Sequence, residues 1–585
     1  MDIRALAKGL LPESDSGEPF LAGAQSQSSW SLLWYLLPIL YLASFVYSIG
    51  DGYFSDLIFQ NDARQQITPY WWFHHGGGFE SSLVYEYMLH YTTLGHRALY
   101  FLATHVLSPV IASQLIALLL TAGVLFYCFK LGSKSAHAAG AMLAMLVLRR
   151  YGWALCGGLP RSFGPLIALA FLYYFLSRNE RGILAVLLAG ALFYPSVFLI
   201  CVGAYSLYVA ITIAIRLDRR SLDRAVRLAC ACGVCFLLLL PSAIKPAAIG
   251  KTVTLAQASE MPEWSDGGRF PELPLPRPWH EINKEPVQSL ESFVRDPGPI
   301  RAPVGSRAKA RVASLLLLVA ICLLLVKRPA QRVLLPVLCF AAASGALYFL
   351  ARQLAFRLFL PDRILIYGIR FAIALTLCLG LASIGHISFR RWKIPAGSFA
   401  LSVFMGTVLV LWHPGIPGRG GYADFGLVDE RGGSDFYGAI SRLPSHSMIA
   451  GDPRELDNVL ITTGQNAYFT FETAHPLYDN YYREISRRIR AFHEAYFATT
   501  PDILLSFVKA ERIDYLLINR AHFAANGVHN YSLFEPYDRE VHEKYGSIDR
   551  TRFVLGRPNL PGVVCSRAEH FMVDTRRLAK ALARK

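Results

Sequence analysis

The stretch "GILAVLLAGALFYPSVFLICVGAYSLYVAITIAI", residues 182–215, carries no Asp, Glu, Lys or Arg. A helix crossing a bilayer needs roughly 20 apolar residues, so the run is too long for one crossing. Pro195 stands near its middle, in "FYPS" (193–196). Proline lacks the amide proton and clashes with the preceding helical turn. The run therefore reads as two short spans, 182–197 and 199–215, joined by a turn.

The rest of the chain follows the same logic. It has 585 residues, 53% of them hydrophobic and 17% charged, with a mean hydropathy of +0.34. Soluble domains carry about a quarter charged residues. Further apolar segments at 31–50, 109–128, 135–149, 162–177, 228–243, 312–326, 333–350, 363–385 and 394–412 bring the expected spans to eleven. The fold class is a polytopic α-helical membrane protein with a C-terminal soluble α/β domain. The polar, Ser/Gly-rich residues 1–30 are expected to form a flexible cytosolic tail, with no cleavable signal peptide.

With that tail in the cytosol, the connectors on the same side read "KLGSKSAH", "SRNERG", "RLDRRSLDRAVR", "VKRPAQR" and "FRRWK". All are basic, as topology selection during insertion produces. The net charge of +16 is thereby assigned to the membrane surface and not to nucleic acid. Arg149, Arg150, Arg301, Arg307, Lys309 and Arg311 fall on the other side. Most of the ten cysteines sit in apolar segments, where they pack as small residues. "CACGVC" (230–235) is read in the same way, and only Cys156 and Cys565 lie in polar surroundings.

The far side receives the segments that do not look like plain connectors: 51–108, 149–162, the "FYPS" turn, 244–311, "RLFLPDR", and a tail of domain size, 413–585. The tail mixes strand-like runs ("SMIAGDP", "DYLLINR") with helical ones ("LYDNYYREISRRIRAFHEAYF"). The first of these segments, "DGYFSDLIFQNDARQQITPYWWFHHGGGFE" (51–80), gathers Asp51, Asp56, Asp62 and Glu80 beside Arg64, His74 and His75. Its aromatics are assigned mainly to the interfacial belt, where Trp and Tyr concentrate. Acids at the end of a span are costly against lipid and face polar cavities. In "GGLPRSFGP" the glycines allow a tight turn and leave Arg161 at the membrane surface. Its planar fork suits a phosphate. "FRLFLPDRILIYGIR" repeats that chemistry with Arg363, while Arg370 lies about two turns inside an apolar helix and calls for a partner. In 244–311 the proline-rich "EMPEWSDGGRFPELPLPRPWHEINKEP" suggests a binding lid or a disordered segment, with Trp264, Phe270, Trp279 and His280 as stacking groups. Nucleotide-binding, zinc-protease and serine-hydrolase signatures are absent.

The motifs "NDARQQITPYW" (61–71), "GGLPRSF" (157–163), "FYPS" (193–196) and "LPDRILIYG" (360–368), set on about eleven spans with a C-terminal soluble domain, resemble the GT-C glycosyltransferase superfamily. The resemblance implies transfer of a sugar from a polyprenyl-phosphate carrier to an extracytoplasmic lipid, glycan or protein, with inversion. It implies a GT-C-like membrane domain over 31–412 and an active site on the extracytoplasmic face of a bacterial inner membrane. Asp62 would be the general base, with Asp56 the second acid. Arg64, His74, Arg161, Arg363, Arg370 and Tyr194 would form the substrate and phosphate set. The family often pairs two acids in the first loop, whereas here Ala63 follows Asp62. A divalent cation is possible, but His74-His75 does not define a site for one. The competing expectations are a transporter or flippase of lipid-linked saccharides, a polysaccharide polymerase or ligase, and a non-catalytic assembly subunit.

Overall fold

The structure is a computed structural model, and it describes residues 35–49, 52–75, 82–135, 137–216, 218–244, 247–270, 328–354, 356–357, 361–383, 425–524 and 527–583. The expected spans 312–326 and 394–412 lie outside the described residues, as do Asp51, Glu80, Trp279 and His280.

The "FYPS" break is present but earlier than expected. One helix covers Glu180–Phe193 and the next Pro195–Ile215, with Tyr194 between them at φ −148°, ψ 88°. The residue before a proline is pushed out of the helical region, and proline itself is favoured at a first helical position. The boundary therefore falls at Tyr194 rather than Val197, and Pro195 begins a helix instead of ending one. Asn179 caps the first of the pair by accepting the Gly182 amide at 3.0 Å.

Among the described residues, five helices are long and apolar enough to cross a membrane: Pro109–Lys134, Pro195–Ile215, Arg219–Pro241, Val333–Leu354 and Arg363–Gly380. The chain is an integral membrane protein. Helices Leu36–Ile49, His137–Leu155, Phe163–Leu176 and Glu180–Phe193 add to the apolar body. Its core is lined by buried Phe171, Phe175, Phe340, Phe371 and Tyr367. Helix Arg219–Ala243 leaves Leu222, Val226, Val234, Phe236 and Leu237 exposed, as lipid contact requires.

The segment 52–108 is no simple loop. It forms strand β1 (Ile58–Gln60), a single helical turn Ala63–Gln66, and helices Trp71–His75, Leu83–His90 and Leu94–Thr104. Its aromatics are also spent differently from the interfacial belt expected of them. Tyr70 is fully buried and stacked on Tyr100 at 4.3 Å. Trp71 is buried and donates Nε1–H to the Ile461 carbonyl at 3.0 Å. A Tyr or Trp whose polar tip finds a protein partner gains more from burial than from the headgroup region.

Strand β1 pairs antiparallel with β2 (Leu427–Asp429), Ile58 opposite Asp429. The first extramembrane segment and the tail are thus stitched together. The tail builds a five-stranded sheet from β3 (Met448–Gly451), β4 (Asn466–Ala467), β5 (Tyr515–Asn519), β6 (Val563–Arg567) and β7 (His570–Asp574), in the order β4-β3-β5-β7-β6. Strand β3 runs parallel to β4 and β5, while β7 is antiparallel to β5 and β6. Helix Pro453–Thr463 follows β3 and packs on the Ala63–Gln66 turn. Residues 247–270 also dock on this domain, through a bridge between Thr252 and Tyr478. Trp264 is buried between Phe356 at 4.4 Å and Phe270 at 5.5 Å. It is a packing residue, so its ring offers no free face to a ligand.

Candidate active site

The site begins with an N-cap that does not cap. Asp at this position ordinarily accepts from the second or third helical amide. Asp62 precedes the turn Ala63–Gln66, yet its side chain makes no capping bond. The backbone supports the turn instead, with Gln65 N–H bonded to the Asp62 carbonyl at 3.2 Å. Gln60 Oε1 holds the Asp62 amide at 2.7 Å. The freed carboxylate, 27% exposed, forms an ion pair with Arg161, which is 4% exposed.

Arg161 is delivered by a short 3₁₀ turn, Pro160–Ser162, just before helix Phe163–Leu176. The turn needs Gly158 at φ +57°, where a Cβ would meet the Ser113 carbonyl oxygen at 2.5 Å. The Gly158 carbonyl accepts from Tyr100 Oη at 3.1 Å and from His96 Nε2 at 3.0 Å. On the other side of the turn, the Tyr367 hydroxyl donates to the Arg161 carbonyl at 3.2 Å. The guanidinium lies 4.5 Å over the Trp153 ring.

One nitrogen, Nη1, is spent on Asp62. Nε and Nη2 are buried and have no hydrogen-bond partner among the described residues. Burial disfavours the charged form, and the nearby Arg363 guanidinium adds repulsion, so the Arg161 pKa is lowered. Tyr194 and Tyr367 stand edge to face at 5.2 Å, and Arg161 and Arg363 are both electrostatic neighbours of each ring. Two guanidiniums, one carboxylate and two phenols thus meet at the end of the apolar helices. Glu472 is a further electrostatic neighbour of Arg161, so what the set offers an anion is the two unspent Arg161 donors.

Of the residues proposed from sequence, Asp62, Arg161, Arg363 and Tyr194 are brought together. Asp56, Arg64 and His74 are engaged elsewhere. Asp56 accepts a hydrogen bond from the Ser108 hydroxyl, which caps helix Pro109–Lys134. Arg64 turns toward the C-terminal domain, bonding Asn458 Oδ1 and the Asn61 carbonyl, each at 3.1 Å. His74 bonds the Thr104 carbonyl through Nδ1 at 2.9 Å and packs edge-on against Trp71. Arg370 lies beside Tyr151. No local pattern pointed to Glu472, which accepts from Gln65 Nε2 and, at 2.8 Å, from Arg269 Nη2. Tyr367 lay within "LPDRILIYG" but gave no signal of its own.

Among the described residues no group of three His, Cys, Asp or Glu side chains converges as metal donors. Asp62 is paired with a guanidinium.

No family model and no curated protein matches the chain. Among solved structures it is similar to ArnT from Cupriavidus metallidurans in the apo state, at 14% identity over 93% of this chain and 98% of that one, with a TM-score of 0.43. ArnT bound to undecaprenyl phosphate gives 14% identity, 92% and 97% coverage and a TM-score of 0.42. The archaeal oligosaccharyltransferase AglB from Archaeoglobus fulgidus, in complex with an inhibitory peptide and a dolichol-phosphate, gives 12% identity, 86% and 71% coverage and a TM-score of 0.46. These neighbours are GT-C superfamily glycosyltransferases.

Proposed function

We propose that the chain is an inverting membrane glycosyltransferase of GT-C type. It takes a sugar from a polyprenyl-phosphate carrier and passes it to an acceptor hydroxyl on the extracytoplasmic face of a bacterial inner membrane. The observation that carries this reading is the Asp62–Arg161 pair, with Arg161 Nε and Nη2 buried and unspent.

In the proposed reaction the lipid phosphate approaches from the bilayer and takes the free Arg161 donors, with Arg363 beside them. The phosphate then competes with Asp62 for the guanidinium. A carboxylate relieved of its cation becomes a better base, so donor binding and base activation are coupled. Asp62 accepts the proton of the acceptor hydroxyl as that oxygen attacks the anomeric carbon from the face opposite the phosphate. The bond to the phosphate oxygen breaks, and the developing charge is held by Arg161 and Arg363. A positioned base contributes about 10²–10⁴ in rate, and preorganised cations at the leaving group contribute comparably.

The test uses the full-length protein in lipid nanodiscs with a panel of undecaprenyl-phosphate hexoses and pentoses, reading release of undecaprenyl phosphate. The wild type is expected to consume at least one donor, and Asp62→Asn to lose that turnover while still binding undecaprenyl phosphate. An Asp62→Asn protein as active as wild type ends the assignment.

A further inference from the structure

We infer that Glu472, a residue of the C-terminal domain, is a positioning residue for Asp62. The inference rests on the reading of Asp62 as the base.

Asp62 is held by a single helical turn, Ala63–Gln66. One turn has no stability of its own, because nucleation costs more than its few hydrogen bonds return. Something outside must hold it. Glu472 is 8% exposed, and burying a carboxylate is costly unless its oxygens are partnered. Its Oε2 accepts from Gln65 Nε2 on one side and from Arg269 Nη2, at 2.8 Å, on the other. Gln65 is also the residue whose amide bonds the Asp62 carbonyl at 3.2 Å. The path from Glu472 to the catalytic carboxylate is therefore one side chain and one helical turn.

Glu472 is itself fixed with care. Both carboxylate oxygens of Asp457 accept its backbone amide, at 3.2 and 3.1 Å. Arg269 is steadied over the rings of Phe471 at 4.3 Å and Phe270 at 4.9 Å. Burial, and then the neighbouring Glu472, push the Asp457 carboxyl up to about 8. Asp457 is thus held toward its neutral form beside Glu472. The arrangement orients the turn that carries Asp62, and an ordinary surface bridge between domains would require none of it.

Glu472→Ala, Glu472→Gln and Gln65→Ala are compared with wild type and Asp62→Asn in the donor-turnover assay. The expected result is a fall in kcat of about tenfold or more for Glu472→Ala, with the donor KM within about twofold. The acid limb of the pH–rate profile should move. Glu472→Gln, which keeps an acceptor for Gln65, should recover part of the loss. The Glu472→Ala and Gln65→Ala effects should fail to add, because they remove one contact. An activity-independent arm places Asp62→Cys in wild-type and Glu472→Ala backgrounds and measures the rate of thiol labelling by a charged methanethiosulfonate. A change of severalfold supports the inference. An unchanged labelling rate, or a wild-type kcat and pH profile in Glu472→Ala beside a dead Asp62→Asn, overturns the inference and leaves the function standing. An active Asp62→Asn overturns the function instead.

Discussion

Two acids in this molecule are treated in opposite ways. Asp452, at the carboxyl end of β3, has every oxygen occupied. Its Oδ1 takes the Arg454 amide at 3.1 Å, and its Oδ2 takes Asn519 at 3.0 Å and His570 at 3.1 Å, with His522 at 3.9 Å. Burial opposes its ionisation, but the His570 and Asn519 bonds and the His522 ring outweigh it and hold the pKa at about 2. Asp62 has one cation, and that cation has two nitrogens with nothing to bind among the described residues. A closed network of this kind rigidifies a fold, while an open one at a membrane surface waits for a ligand. Under the proposed function, the difference separates scaffold from site without reference to sequence similarity.

The sharpest way to break the comparison is to remove the open pair. Arg161→Ala should reduce donor turnover by about 10²–10³ and abolish undecaprenyl phosphate binding, measured by titration in nanodiscs. It should lower the melting temperature little, since Asp62 is part-exposed and can be hydrated. The closed network should respond in the reverse sense. Asp452→Ala leaves two histidines and an asparagine without their acceptor and should cost about 3–5 kcal/mol of stability, read by thermal unfolding, while the remaining folded protein turns over donor at the wild-type rate. A catalytic loss without a stability loss in Asp452→Ala would erase the distinction.

A smaller effect concerns Asp457. A carboxyl raised to about 8 when folded stabilises the fold below its unfolded pKa, near 3.9, and that contribution is lost as pH rises toward 8. Asp457→Asn should therefore gain on wild type between pH 5 and pH 8, by a few degrees in melting temperature. A constant difference across that range would show that the carboxyl stays ionised. The smallest expected effect is at Asp56. Asp56→Asn keeps an acceptor for Ser108 and should shift stability by under about 1 kcal/mol and turnover by less than about threefold, which sets it apart from Asp62 in the same assay.

The parts of the fold that were legible in the sequence were those written locally. A proline inside a chargeless run marks two helices whatever surrounds it, and the structure moved that break only from Val197 to Tyr194. Arg161 and Arg363 were visible because each follows a proline in a short turn that opens an apolar helix, in "LPRSF" and "LPDR". Asp62 ranks above Asp56 in the sequence only through the family resemblance, and the structure gives the first an arginine and the second a serine. Strand β1 is three residues long, too short to display alternation. The aromatic run at 70–73 reads the same in sequence whether its rings lie among headgroups or under another domain. Glu472 and Arg269 acquire meaning only by meeting Gln65, and no local pattern encodes a meeting of segments so far apart in the chain.

The pairing of β1 with β2 has a consequence for counting. Two strands that exchange hydrogen bonds must lie on the same side of the bilayer, so the chain between Gln60 and Leu427 crosses it an even number of times. The ten spans expected from sequence between those residues obey this parity, and any revised count must change by two. The same constraint is also one of timing. The strand beside Asp62 has no partner until translation has delivered β2, so a chain that ends before Leu427 lacks that pairing whatever helices it carries.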